Sequence, residues 1–143
     1  MKPGICTIFC LNLMICWPAW ADLGGSSADI TQHRMATRHA LAVPFTRYSY
    51  VTPQGTQMEE YAGSDGTIIA QRWQGSAPPN LEHTLGSYAQ TLHQYRPRRP
   101  DHHRLYLATP DLVVESRMYL GHFQGYSYLP KALPPGITMQ DLN

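Results

Sequence analysis

Residues 45–73 read, in unbroken succession, FTRYSYV, TPQG, TQMEEYA, GSDG and TIIAQRW. Three runs rich in aromatic and β-branched residues are separated by two clusters of Pro, Gly, Ser and Asp, which is the pattern of strands joined by tight turns. The stretch therefore predicts a three-stranded antiparallel meander. If both turns hold an even number of residues, directly opposed residues share a sheet face. One face then carries Tyr48, Tyr50, Glu59, Tyr61, Ile68 and Ala70, and the other Phe45, Arg47, Val51, Met58, Glu60, Ile69 and Trp73.

Beyond Gln74 and Gly75, residues 81–95 place Leu81, Leu85, Tyr88, Leu92 and Tyr95 at spacings of three and four, the signature of an amphipathic helix. Asn80 suits its N-cap, Glu82 its positive first turn, and Pro97 stops it. Gly86 weakens it by about 1 kcal/mol relative to Ala. RPRRPDHHR, residues 96–104, has nothing apolar to bury and reads as an exposed connector. A short strand is expected around residues 105–107 and a hairpin within 111–128. The proline-rich tail LPKALPPGI should lie extended over the domain. Upstream, ADITQHRMATRHALA contains no Gly or Pro and suggests an N-terminal helix starting near Ser27, with Ser27 or Asp29 as cap. The expected fold class is α+β: an antiparallel sheet of about five strands, made of the meander plus a C-terminal hairpin, with one amphipathic helix packed on it and an N-terminal helix.

The chain opens MKPGICTIFCLNLMICWPAWADLGG. Lys2, an apolar stretch and Ala19-Trp20-Ala21 have the organisation of a secretory signal peptide cleaved between Ala21 and Asp22. A membrane span needs about 20 consecutive apolar residues, and this run is broken by Asn12 and Pro18, so no span is expected in the mature form. Ile15 is too large to precede a lipid-modified Cys16. Cleavage removes Cys6, Cys10 and Cys16, all the cysteines of the chain. Residues 22–143 then fold as a single small domain by packing, without disulfides. Loss of Lys2 leaves ten basic against ten acidic residues. That neutrality argues against a nucleic-acid partner, which calls for a basic excess on one face.

Several blocks, DLGGS, MEEYAGSDGTIIAQRWQG, PNLEHTLGSY, DLVVES and GHFQGYSYLPKALPPGI, give nearly all of residues 22–143 a resemblance to a family of small exported bacterial proteins classified only as a domain of unknown function. The chain departs from it at His102-His103 and in the helical character of the N-terminal stretch. The resemblance implies export and one small domain, and it carries no catalytic residues.

No pattern of residues names a reaction. The seven histidines are scattered: His33 and His39 fall on nearly opposite sides of a helix, and His83 and His93 lie about 15 Å apart along one. No metal or cofactor is expected. Glu59 and Glu60 are adjacent on a strand and point to opposite faces, so they cannot share a substrate; Glu60 is expected to pair with Arg47. A G-x-S-x-G elbow and a phosphate-binding glycine loop are absent. Arg96, Arg98 and Arg99 read as a solvated linker. Tyrosines are in excess, and Tyr48, Tyr50, Tyr61 and Trp73 are the candidate binding face, unless a helix covers it and makes it core. Trp73, the only tryptophan after cleavage, is expected to be buried. These features favour a non-enzymatic exported module, periplasmic or secreted, binding an envelope or extracellular protein, peptide or glycan. A small hydrolase or metal-dependent enzyme and a structural or assembly subunit are the alternatives.

Overall fold

The computed structural model describes residues 22–33, 35–41, 43–95, 101 and 103–142. Its meander consists of β2 (Thr46–Val51), β3 (Gln57–Ala62) and β4 (Ile68–Gly75). On the outer side of β2 lies β1 (Thr37–Ala40), and on the far side of β4 come β7 (His122–Tyr128), β6 (Val113–Tyr119) and β5 (Arg104–Ala108). All seven form one antiparallel sheet in the order β1-β2-β3-β4-β7-β6-β5.

The expected sheet of about five strands, a three-stranded meander plus a C-terminal hairpin, is thereby overturned: the sheet has seven strands, with β7 docked directly onto β4 and with β1 and β5 added at its edges. The physical reason lies in β4: Ile68, Ile69, Ala70, Gln71 and Trp73 are all buried. A strand sealed on both faces needs hydrogen-bonding partners on both edges as well. Of the two strands at the edges, β5 is the short strand expected around residues 105–107, whereas β1 comes from the stretch expected to be helical. The predicted N-terminal helix is confined to α1 (Ser27–His33), with Ser26 rather than Ser27 or Asp29 capping it through its hydroxyl, which accepts from Ala28 N–H at 3.2 Å. After α1 the chain becomes β1, exposed along its whole length.

The face assignment also needs correction. Val51 pairs with Gln57, so the first turn leaves an odd number of residues between them. Tyr48 and Tyr50 consequently share a face with Glu60 and Met58, not with Glu59 and Tyr61. Parity at the second turn is as expected, Met58 facing Trp73 and Tyr61 facing Ala70. A bulge beside Tyr61 and Ala62 then turns Ile69 to the same side as Ala70.

One sheet face is covered by the predicted helix, here interrupted: α2 (Leu81–Leu85), a 3₁₀ turn over Gly86–Tyr88, and α3 (Ala89–Gln94). Asn80 caps α2 as expected, its side-chain oxygen accepting from Glu82 N–H at 3.1 Å and His83 N–H at 3.4 Å. Gly86 does more than weaken the helix; at φ +53° it breaks the α-helical path, with the Asp22 carboxylate occupying the space that a Cβ would need. Leu81, Leu85, Tyr88 and Leu92 pack there with Tyr48, Tyr50, Met58, Trp73 and Val114. Across the sheet, the tail after Leu129 lies over the domain as expected but is not extended: it begins with a 3₁₀ turn at Pro130–Ala132 and turns again beyond it, and Leu133, Ile137, Met139 and Leu142 cover Tyr61, Ile69 and Ala70.

Candidate functional site

The aromatic candidates do not form one surface. Tyr48, Tyr50 and Trp73 lie beneath the helix, Tyr61 lies on the opposite face beneath the C-terminal tail, and all four are buried. Trp73 is 3 % exposed, as its residue type predicts, and it sits flat against Gly125, where a Cβ would approach its ring to 2.6 Å. Glu60 belongs to the helix-covered core, where the Tyr50 hydroxyl donates to it at 2.6 Å. Its expected partner Arg47 instead meets Glu59 on the other face, at 3.7 Å.

What is open is the half of that other face which the tail leaves bare. Antiparallel register aligns its side chains into rows that run straight across the strands. Arg47, Tyr61, Ala70, Tyr128, Val113 and Ala108 form the row at the tail's edge. Next come Ser49, Glu59, Arg72, Tyr126, Glu115 and Tyr106, and then Val51, Gln57, Gln74, Gln124, Arg117 and Arg104. These two rows as far as β6, with Arg47 of the first, line an open groove of about 1210 Å³, and Tyr106 and Arg104 on β5 lie beyond its lining. Its boundary is held where Arg72 donates to the Met139 carbonyl at 3.4 Å, with Gln140 at the rim.

The two glutamates are held alike. Glu59 accepts from the Tyr61 hydroxyl at 3.0 Å and faces Arg47. Glu115, whose side chain is only 9 % exposed, accepts from the Tyr126 hydroxyl at 2.7 Å and from Arg117, and pairs with Arg104 at 3.1 Å. Burial by itself pushes the Glu115 carboxyl up, but the hydrogen bonds from Tyr126 and Arg117 and the charges of Arg117 and Arg104 outweigh it, and the group lies below its ordinary value. Both tyrosine phenols are pushed up to about 12, by burial first and then by their glutamates. They are therefore neutral donors throughout the physiological range. Glu59 and Glu115 stand in one row three strand spacings apart, about 14 Å, whereas carboxylates that cleave a glycosidic bond between them stand within about 10 Å. Each accepts from a tyrosine hydroxyl and faces arginine. Gln57, Gln74 and Gln124 are exposed amides, and Gln74 donates to Gln57 at 2.7 Å.

Among the described residues no three His, Cys, Asp or Glu side chains come together to hold a metal ion. His93 meets Glu82 at 3.0 Å on the surface, and His39, His83, His103 and His122 are exposed. His102 and the Arg96, Arg98 and Arg99 linker lie outside the described residues, as does the leader with its Ala19 and Ala21 cleavage motif. No helix among the described residues is long and apolar enough to cross a membrane.

Sequence reasoning missed the groove because it counted tyrosines. The available signal was the polar residue at alternate strand positions, Arg47, Ser49, Glu59, Arg72, Gln74, Glu115, Arg117 and Gln124, which becomes a surface only once the register is known.

No curated protein and no solved structure matches the chain. The family profile described as protein of unknown function (DUF2844) matches residues 19–142, and over that span, which holds the whole sheet, the helical cover and the groove, the chain belongs to this family.

Proposed function

We propose that the protein is a non-enzymatic, exported binding module whose groove takes a glycan. The observation that carries this reading is the open, hydrogen-bonding half of the sheet, set beside an apolar half that the chain covers with its own tail. Strands β3, β4, β6 and β7 are interior to the sheet, so their backbone groups are already used. A peptide recognised by strand addition needs an edge, and a ligand lying on this face meets side chains alone. Amides, guanidinium groups and a phenol ring suit sugar hydroxyls and ring faces. Two glutamates held apart and each neutralised by arginine favour this over a hydrolase.

Titration of the isotope-labelled protein with a panel of neutral and acidic oligosaccharides tests it by amide chemical shifts. Changes should centre on Glu59, Arg72, Gln74, Gln124 and Tyr126, and Gln124→Trp, which fills the groove, should abolish them. Shifts confined to β1 and β5, or none with any sugar, would sink the glycan reading.

Export belongs to the same proposal. It is supported by the leader pattern, a basic start, an apolar stretch and Ala19-Trp20-Ala21. Intact mass of the exported protein should correspond to residues 22–143 with no lipid. A diacylglyceryl group on Cys16 is the result that would overturn this.

A further inference from the structure

We infer that the ligand of this groove is an acidic polysaccharide, its oxyanion groups received by arginines set on a regular diagonal across the sheet. The inference rests on the glycan reading and adds the charge and spacing of the chain. Arg47 lies on β2 in the row at the tail's edge, Arg72 on β4 in the next row, and Arg117 on β6 in the third. Each step is two strands across and two residues along, about 12 Å. A sugar polymer with one acidic group on every second ring repeats its charge on a comparable scale, roughly two linked pyranose rings.

Charge supports the same conclusion. Residues 22–143 are neutral overall, yet this face carries Arg47, Arg72, Arg104 and Arg117 against Glu59 and Glu115, a formal excess of two positive charges. Arg104 and Arg117 are direct cross-strand partners and share the single carboxylate of Glu115. Like charges placed opposite one another oppose folding, and an arriving anion relieves that repulsion. Their side chains are 48 % and 55 % exposed, so guanidinium edges remain accessible beyond the shared carboxylate. Arginine also presents paired N–H donors to a planar carboxylate, which lysine cannot do. Tyr106 beneath Arg104, with the guanidinium carbon 5.4 Å from its ring centre, and the exposed Tyr119 supply aromatic faces at the same end.

The test is calorimetric titration of the mature protein with hyaluronan oligosaccharides, which carry a carboxylate on every second ring, with the same oligomer fully methyl-esterified, and with dextran sulfate. The acid should bind and its methyl ester should bind at least about tenfold more weakly, since charged hydrogen bonds contribute on the order of 1.5–3 kcal/mol. Affinity should fall as salt rises above about 0.1 M. Arg72→Gln and Arg117→Gln should each weaken the acid by about tenfold, and Arg38→Gln, on the opposite face of β1, should not. Dextran sulfate binding in place of the uronate identifies sulfate esters as the anion and retains the acidic-polysaccharide assignment. Equal affinity for acid and ester overturns that assignment and leaves the glycan module standing. Acid binding unaffected by Arg72→Gln and Arg117→Gln together puts the sugar outside the groove and overturns both. No binding to either anion overturns the acidic assignment, while shifts from neutral sugars in the separate panel still decide the glycan reading.

Discussion

Trp73→Ala should lower the unfolding free energy by about 3–5 kcal/mol, the usual cost of emptying a large buried aromatic site. The ring sits between the helical cover and the sheet with Tyr50, Met58 and Val114, and its indole N–H has no hydrogen-bond partner among the described residues. Its contribution is therefore apolar contact. Trp73→Phe, which keeps part of that contact and removes the unsatisfied N–H, should cost less than half as much. Gly125→Ala approaches the same site from the sheet side: a Cβ there would strike the Glu115 carbonyl oxygen and the Trp73 ring. Overpacking of this kind costs about 1–3 kcal/mol. Chemical denaturation of the three variants checks the series. In the chain beginning at Asp22, where Trp73 is the only tryptophan, emission should be blue-shifted and resistant to iodide. Red, readily quenched emission with a small loss of stability in Trp73→Ala would show that the ring is not core.

Glu115→Ala should cost about 2–3 kcal/mol, because it removes charge-assisted hydrogen bonds and leaves the Tyr126 hydroxyl and two neighbouring guanidinium groups without their common acceptor. The same carboxylate makes folding sensitive to acid. Its folded-state value lies below the ordinary one, so the unfolded chain takes up the proton more readily as pH falls. Its stabilising contribution is complete above the unfolded value of about 4.5 and is lost as pH drops through the lower folded value. Glu115→Gln cannot titrate and should show a shallower loss of stability than the parent as pH falls below about 4.5. Identical acid slopes for parent and Glu115→Gln would mean that the carboxylate is not held by its arginines in solution.

The parts of the fold legible in the sequence are those specified by neighbours along the chain. The runs at 46–51, 57–62 and 68–75 carry their β-branched and aromatic residues between turn-forming clusters, and they are strands. Asn80 announced the start of a helix and the tail LPKALPPGI announced an irregular cover. Trp73 is buried, as an apolar residue beside Ile68 and Ile69 should be. Gly86 was legible as a weakness, but a glycine tolerates several conformations, and only the Asp22 carboxylate lodged against it accounts for the break.

Tertiary structure decided everything that depended on which strand lies beside which. One residue more or less in the turn between Val51 and Gln57 exchanges all the side chains of a strand between core and solvent, and turn composition does not count that residue. The bulge at Tyr61 and Ala62, which moves Ile69 to the tail-covered face, depends on pairing in the same way. Burial of β4 on both faces required partners on both edges, and this joined β7 to it and made one sheet from two ribbons. The groove follows from that union. Arg47, Arg72 and Arg117 are separated widely in the chain and carry no motif between them. They form a diagonal because antiparallel register lays residues that are distant in sequence at fixed spacings across a sheet, a relation held by backbone hydrogen bonds between strands and therefore invisible in the order of residues along any one of them.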